Sequence, residues 1–271
     1  MSSVQYPILL VHGMGFHDHK LFNYWGRIPK RLEQQGAKIF YGCQDSHASM
    51  EDNAHFLYER VTKIIQETGA KKVNIIAHSK GGLDSRFMIS YLDKGTYVAS
   101  LTTLSTPHRG SHTVDVLLRM PDVLVRVIAY ICDWWYGILG DQKPDSYRVF
   151  HELETGHMEE LNHQMSDVKG VYYQSYAFVM KHVWSDLLMM IPWMVVRAIE
   201  GVSDGLVTPD SAAWGEFRGI YTGSGQKGIS HCDVVDRRRR RFSKREPQKG
   251  QVSDMADFYT TLVQELKERG L

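Results

Sequence analysis

The sequence predicts an α/β protein with a doubly wound, mostly parallel sheet. Up to residue 104, short apolar segments alternate with longer segments of helical spacing, which is the pattern of a parallel sheet covered by helices. A length of 271 residues is enough for one such domain or two small ones. Because we find neither an internal repeat nor a dividing linker, we expect residues 1–271 to form a single domain.

The predicted elements follow one another in a regular order. They are strand 7–11, helix 22–35, strand 37–40, helix 53–67, strand 73–77, helix 81–93 and strand 98–104. The alternation then stops, and a helical insertion is predicted from about residue 112 to residue 165. A strand at 170–179 resumes the pattern, and the segment DMADFYTTLVQELKER predicts a closing helix.

Composition and charge argue against several classes of protein. A net charge of +1 gives no overall electrostatic attraction to nucleic acids. The run DRRRRRFSKREPQK at 236–249 is interpreted as a surface loop partly paired with nearby acids, rather than as a nucleic-acid or membrane site. The widely spaced Cys43, Cys132 and Cys232 form neither a metal motif nor a disulfide framework, so we expect free thiols.

Two apolar segments bear on location. YPILLVHG begins five residues after Met1 and is typical of a core strand, so we predict no signal peptide. A cytoplasmic protein and the mature form of a secreted enzyme both fit this pattern. LLMMIPWMVV at 187–196 is too short to span a bilayer. We expect it to be a buried core segment, with a wall of a lipid-binding groove as the alternative.

The segment AHSKGGLDSR at 77–86 has the pattern of a nucleophile on a sharp turn. A buried strand precedes Ser79 and a helix follows it, which is the context that a nucleophile elbow requires. Gly81 and Gly82 leave room for close approach of the helix and the strand, and the helix N-terminus favours developing negative charge. The alternative is a tight strand-to-helix turn without chemistry.

A second motif, LLVHGMGF, ends the first predicted strand. A turn at His12-Gly13 would direct the backbone N–H of Met14 across the top of the sheet. Together with the N–H of Lys80, it would form an oxyanion hole of two donors. The alternative is an ordinary glycine turn. We expect the side chain of Lys80 to be solvated.

A serine nucleophile needs a base and an acid that orients the base. His231 lies in a loop before the last helix, and Asp204 lies at an Asp-Gly turn in VSDGLVTPDSA. The order Ser79, Asp204, His231 is the one expected for this fold. Asp210 is a rival acid that lacks the Asp-Gly turn.

These motifs resemble those of the bacterial true lipases of the α/β-hydrolase superfamily, near the thermostable-lipase branch. The resemblance rests on YPILLVHGMGF, AHSKGG, STPHRGS, SDGLV and SHCDVV and spans nearly the whole chain. It implies an α/β-hydrolase fold and a carboxylic-ester hydrolase with Ser79 as nucleophile, Asp204 as acid and His231 as base. It also implies Met14 and Lys80 as oxyanion donors. Acyl transfer on the same residues, or a binding protein without catalysis, are the alternatives.

The predicted insertion at 112–165 resembles a lid. PDVLVRVIAYICDWWYGIL is apolar over most of a helix, with only a narrow polar stripe. Such a helix could cover an acyl pocket and contact a lipid–water interface; the alternative is a cap that never moves. The candidates for substrate contact are Phe16, His78, Trp134 and Trp135. We expect a lipid or small apolar ester as substrate, no nucleic-acid partner and no transmembrane segment.

The chemistry needs no cofactor, but the resemblance implies a structural calcium ion. Such lipases bind calcium through an acid two residues after the catalytic histidine, a position that Asp233 occupies here. Asp186 and Asp236 are candidates for a second acidic ligand. The alternative is that Asp233 pairs with arginines of the 237–241 run and fixes the loop without metal.

Overall fold

The computed structural model describes residues 4–15, 18, 23–244 and 246–271. Its centre is a parallel sheet in which the described strands follow the order β2-β1-β3-β4-β5-β6-β7. The strands are β1 (Ile8–Val11), β2 (Ile39–Tyr41), β3 (Val73–His78), β4 (Val98–Leu104), β5 (Tyr172–Phe178), β6 (Glu216–Gly223) and β7 (Gln251–Val252). The strand order reverses beside β1, as it does in doubly wound sheets. The predicted fold class is confirmed.

Helices cover both faces of this sheet and fill the segment between β4 and β5. The α-helices are α1 (Ile28–Glu33), α2 (Met50–Thr68), α3 (Lys80–Met88), α4 (His112–Leu118), α5 (Asp122–Leu139), α6 (Ser146–Glu152), α7 (Thr155–Gln164), α8 (Met190–Ile199), α9 (Pro209–Ala212) and α10 (Met255–Glu268). A π-helical turn (Ile89–Asp93) extends α3, and a 3-10 turn (Val183–Ser185) precedes α8. Among the described residues, none of these helices combines the length and the hydropathy needed to cross a bilayer.

The apolar run of β1 packs in two directions. Ile8 and Leu10 contact the core layer under α1 and α10, whereas Leu9 and Val11 contact the layer under α2 and the end of α3. Because the side chains of a strand alternate between faces, a strand with helices on both sides is apolar throughout. All four residues of β1 are fully buried.

Several elements differ from the sequence prediction, among them the two-residue strand β7, which was not predicted. The described part of the first helix runs only from Ile28 to Glu33. Strand β6 was not predicted, because its sequence EFRGIYTG is polar and partly exposed and contains glycines that weaken a strand pattern. The expectation that 187–196 is a buried core segment is wrong: Leu187 is 73% exposed and Ile191 is 68% exposed.

The turn after β3 brings α3 very close to the strand next to it. A Cβ atom at Gly81 would lie 2.2 Å from the backbone oxygen of His12, a distance that no side chain can occupy. Both atoms belong to backbone that the sheet holds in place, so neither can move without disturbing β1 or α3. The absence of a side chain at Gly81 therefore sets the distance between the loop after β1 and the helix after β3.

We expect Gly81→Ala to destabilise the fold by about 3 kcal/mol or more, which lowers Tm by about 10 °C. The matched control is Gly156→Ala in α7, where an added Cβ meets nothing within 4 Å. That change should be neutral or should stabilise by about 0.5–1 kcal/mol, because alanine favours a helix. Thermal unfolding of both variants followed by circular dichroism tests this. Equal Tm values would contradict the close approach at Gly81.

Candidate active site

Ser79 sits in a strained turn between β3 and α3. Its backbone has φ 54° and ψ −134°, a conformation that costs a non-glycine residue about 1–3 kcal/mol. The turn is fixed because the N–H of Ser79 donates to the oxygen of Leu104 at 3.0 Å, and the N–H of Gly82 donates to the oxygen of Ser79 at 3.0 Å. This is the elbow geometry that the sequence predicts, and backbone strain of this kind is concentrated at functional sites.

Asp204 and His231 form a buried pair. Nδ1 of His231 lies 2.8 Å from Oδ2 of Asp204, and the N–H of His231 donates to the backbone oxygen of Asp204 at 2.8 Å. The other carboxylate oxygen accepts hydrogen bonds from the N–H groups of Leu206 (3.0 Å) and Val207 (2.9 Å). Because Asp204 is fully buried and its Oδ2 faces Nδ1 of His231, it directs the hydrogen of the imidazole to Nδ1 and leaves Nε2 as the basic atom.

The rival acid, Asp210, lies elsewhere. It is exposed in the first turn of α9, and its backbone oxygen accepts a hydrogen bond from Arg109. The structure therefore brings Asp204, and not Asp210, to the imidazole of His231.

The imidazole of His231 lies beside the elbow. The ring of His78, the residue before Ser79, is centred 4.4 Å from the ring of His231. His78 is buried, and its Nδ1 lies 2.7 Å from the hydroxyl of Tyr24. It therefore packs against the base, and contact of His78 with substrate stays a prediction. Burial, His231 and His12 hold the pKa of His78 well below its usual range, so its ring is neutral.

Tyr24 connects His78 to the loop after β1. Its hydroxyl oxygen accepts a hydrogen bond from the N–H of Gly13 at 3.0 Å, which leaves its own hydrogen for Nδ1 of His78. Gly13 itself touches the elbow: a Cβ there would lie 2.6 Å from Cβ of Ser79 and 3.2 Å from its Oγ. The loop that carries Met14 is thus fixed against Ser79.

The two predicted oxyanion donors belong to the two backbone segments that meet at Ser79. Met14 follows Gly13, and Lys80 is the first residue of α3. The N–H groups in the first turn of a helix have no partner within the helix and are therefore available to a ligand.

The side chain of Lys80 is buried, contrary to the expectation that it is solvated. Its Nζ lies 2.7 Å from Oδ1 of Asp84, one turn along α3, and only 1% of Lys80 is exposed. Nδ2 of Asn53 in α2 donates to the other oxygen of Asp84 at 2.9 Å. Burial raises the pKa of Asp84 to about 6 despite these partners. A buried ion pair therefore connects the base of the elbow to α2.

Two exposed apolar helices adjoin this site. Helix α5 lies beside the loop after β1: the hydroxyl of Tyr136 would be 3.9 Å from a Cβ atom added at Gly15. The segment before α8 lies beside Asp204: Cβ of Met189 would be 3.2 Å from a Cβ atom added at Gly205. The exposed apolar residues of the two segments are Val123, Leu124, Val127, Tyr130, Ile131, Trp134, Trp135, Ile138, Leu139, Trp184, Leu187, Leu188, Ile191, Met194, Val195 and Ile199. We call this set the apolar rim. Trp134 and Trp135 belong to it, and Phe16 lies outside the described residues.

The residues around Asp233 do not fit a calcium ion. Both carboxylate oxygens of Asp233 bind the guanidinium of Arg238. Asp236 is bound by Arg27, with Oδ1 at 2.7 Å and Oδ2 at 2.8 Å. Within the described ranges, no group of three or more histidine, cysteine or acidic side chains is arranged to hold a metal. The three cysteines are free, as predicted, and burial raises the pKa of the Cys232 thiol to about 12.

Known proteins share this sequence and architecture. The family model for palmitoyl protein thioesterases matches residues 7–176. Triacylglycerol lipase 2 of Saccharomyces cerevisiae is 30% identical over 264 residues, which cover 91% of this chain and 74% of the yeast protein. A triacylglycerol lipase of Pseudarthrobacter phenanthrenivorans is 36% identical over 119 residues, 42% of this chain and 37% of that lipase.

Solved structures agree in fold. The lipase of Staphylococcus hyicus superimposes with a TM-score of 0.73 at 17% identity, covering 97% of this chain and 96% of that one. The mature lipase BlEst2 of Bacillus licheniformis gives a TM-score of 0.64 at 22% identity, covering 88% and 89% of the two chains.

The ion pair under the elbow leads to a prediction about stability. Lys80→Met and Asp84→Asn should each destabilise by about 3 kcal/mol, because each leaves a buried charge without its partner. The double variant should be more stable than the sum of the single effects predicts. Since the raised pKa lets Asp84 take up a proton, Lys80→Met should destabilise less at about pH 5 than at about pH 8. Denaturant unfolding at both pH values measures these differences.

The matched control is the exposed pair Lys63–Glu67, which has the same spacing in α2 and a separation of 3.9 Å. Lys63→Met should change stability by about 0.5 kcal/mol or less. Additive single and double effects at Lys80 and Asp84 would contradict the buried pair.

Proposed function

Because the chain belongs to the lipases of the α/β-hydrolase superfamily, we propose that it is a serine carboxylic-ester hydrolase that cleaves apolar acyl esters through an acyl-enzyme on Ser79. The observation that carries the proposal is the contact of 2.8 Å between Asp204 and Nδ1 of His231, beside a serine in a strained elbow. Ligand binding without catalysis requires neither a serine in strained backbone nor an imidazole oriented beside it, whereas nucleophilic catalysis requires both.

In the first half of the reaction, His231 acts as the base. Its Nε2 takes the proton of Ser79 as Oγ attacks the ester carbonyl, and Asp204 stabilises the resulting imidazolium through Nδ1–H. The negative charge on the carbonyl oxygen is met by the N–H groups of Met14 and Lys80, each worth about 3 kcal/mol in the transition state. The alcohol then leaves with the proton from Nε2, and the acyl group stays on Oγ.

In the second half, water attacks the acyl-enzyme. His231 takes a proton from this water, the tetrahedral intermediate forms in the same oxyanion hole, and Oγ of Ser79 leaves with the proton. An alcohol in place of the water would transfer the acyl group instead of releasing it. The residues are the same in both reactions, so the choice depends on which acceptor reaches the site.

The apolar rim is an argument for an apolar substrate that is bound at a lipid–water interface. So many exposed large apolar side chains on two segments are unusual on a protein surrounded by water, and such surfaces mark places where another apolar phase binds. The polar side of α5 is narrow: Asp122 and Arg126 pair at 2.7 Å and Tyr147 donates to Asp122 at 2.7 Å. With α5 beside the oxyanion loop and α8 beside Asp204, lipid bound to the rim would deliver its ester between them.

The basic run at 236–249 fits a surface loop. Arg238 binds Asp233, and Arg241 approaches Asp254 and Asp257 at 3.3 Å each. Guanidinium groups that bind carboxylates are less available to phosphates, because both anions use the same N–H donors. This pairing supports a function that does not involve nucleic acid.

The decisive experiment removes the nucleophile and the acid separately. Ser79→Ala should lose at least about 10³-fold in kcat on p-nitrophenyl esters and should no longer react with a fluorophosphonate probe. Asp204→Asn should lose about 10⁴-fold in kcat because the imidazole hydrogen is no longer held on Nδ1. Asp210→Asn is the matched control and should retain nearly full activity. Wild-type protein that neither hydrolyses esters nor labels would instead indicate a binding protein.

The apolar rim should matter for aggregated substrate and not for dissolved substrate. Trp134→Ser and Leu187→Ser should each weaken hydrolysis of dispersed long-chain esters by roughly tenfold, because each removes about 1.4 kcal/mol or more of apolar contact with lipid. Hydrolysis of p-nitrophenyl acetate should be unchanged. Ile220→Ser, which removes an exposed apolar side chain from β6, is the control. Equal losses on both substrates, or the same loss for Ile220→Ser, would contradict a lipid-binding rim.

A further inference from the structure

Two buried carboxylates flank a single guanidinium next to the proposed catalytic histidine. Nε of Arg238 donates to Oδ1 of Asp233 at 2.6 Å and its Nη2 donates to Oδ2, while Oδ2 of Asp186 lies 4.0 Å from the same Nη2. The Asp233 and Asp186 side chains are only 2% and 8% exposed. The guanidinium of Arg238 is therefore close to two carboxylates that are both almost inaccessible to water.

The two acids hold the loop on both sides of His231. Ser230, the residue before it, donates its hydroxyl to Oδ2 of Asp186 at 2.6 Å, and its N–H donates to Oδ2 of Asp233 at 3.2 Å. The N–H of Asp233, two residues after His231, donates back to the hydroxyl oxygen of Ser230 at 3.1 Å. The backbone at 230–233 is thus closed around the two carboxylates.

The guanidinium also fixes a third segment. Nη1 of Arg238 donates to the backbone oxygen of Ser185 at 2.7 Å, and the N–H of Gly228 donates to Oγ of Ser185 at 3.3 Å. The chain folds back to make these contacts because Asp236 (φ 56°) and Arg239 (φ 49°), on either side of Arg238, both have left-handed backbone. The side chain of Arg238 is thereby turned inward onto the histidine loop.

Without a cation, this arrangement would not hold together. Two carboxylates within 4.0 Å of one nitrogen atom repel each other strongly when they are shielded from water. Ionised, they would separate and carry Ser230 and the backbone of His231 with them. A bidentate guanidinium is suited to this position because it binds carboxylates with fixed geometry and stays charged.

We propose that Arg238 is the built-in cation that positions His231, in the place where the family resemblance implies calcium. It is a positioning residue: it contacts neither Ser79 nor the imidazole, and it acts through Asp233, Asp186 and Ser230. The inference rests on the proposed function for its effect on rate. It makes the activity and the stability of this chain independent of divalent metal.

The test compares the wild type, Arg238→Ala, Arg238→Lys and the control Arg240→Ala, which replaces an exposed arginine of the same run. Each protein is assayed for kcat and KM on p-nitrophenyl acetate, for fluorophosphonate labelling and for Tm, first with EGTA and then with excess calcium. The wild type should respond to neither addition. Arg238→Ala should lose kcat by about 10²-fold with KM within about twofold, because the base is misplaced while the substrate site is intact.

The conservative variant separates positioning from general destabilisation. Arg238→Lys keeps the charge but loses the fork, so its kcat should lie between those of the wild type and Arg238→Ala, and Arg240→Ala should match the wild type. If Arg238→Ala does not fold, Arg238→Lys with a wild-type kcat would overturn the proposal, and a lower kcat at unchanged KM would support it.

Other results would also overturn it. One is that the Tm and the kcat of the wild type both fall in EGTA and recover with calcium. The other is that Arg238→Ala has the kcat of the wild type. Failure of the proposed function is distinguishable, because the wild type itself would then neither hydrolyse esters nor label. In that case the Tm values of the four proteins, with and without calcium, still decide whether Arg238 or a metal holds the loop.

Discussion

The site depends on the close approach of two loops at the carboxyl edge of the sheet. The loop after β1 touches Ser79 through Gly13 and touches α3 through the backbone of His12, where a Cβ at Gly81 would lie 2.2 Å away. Glycines at 13 and 81 make that distance attainable. The proposed oxyanion hole depends on this distance, because the Met14 amide and the N-terminus of α3 can converge on one point only if the backbones approach this closely.

Polar groups fill the space behind this contact, and each is tied to the next. Tyr24 accepts from Gly13 and donates to His78, His78 packs on His231, and His231 is held by Asp204. Such networks define a single geometry when every member has a partner, because an unpaired polar group in the interior costs free energy. The strain at Ser79 is thereby balanced by interactions on both sides of it rather than released by rotation of the turn.

Local patterns predicted the strands around the elbow and the order of the three proposed catalytic residues, because turns and buried strands leave local signatures. Contacts between distant segments leave none. The side chain of Lys80 was expected in water. Its partner Asp84 lies one turn along α3, but Asn53 of the distant helix α2 binds that carboxylate in the interior. The hydropathy of 187–196 is that of a core segment, and only the packing of α8 shows that most of its large apolar side chains stay exposed in the described chain. Arg238 has the same local sequence as its neighbours, and left-handed turns on both sides single it out.

The apolar rim and the proposed base meet at residues 182–188. Ser185 and Asp186 are buried and bound to the histidine loop, whereas Leu187 and Leu188 directly after them are exposed members of the rim. A surface that is proposed to bind lipid and a proposed base that requires a fixed position within a fraction of an ångström place opposite demands on one short segment. The cluster around Arg238 lies at the boundary between them. Ionic contacts with fixed geometry there keep the position of Ser230 and His231 independent of what covers the rim.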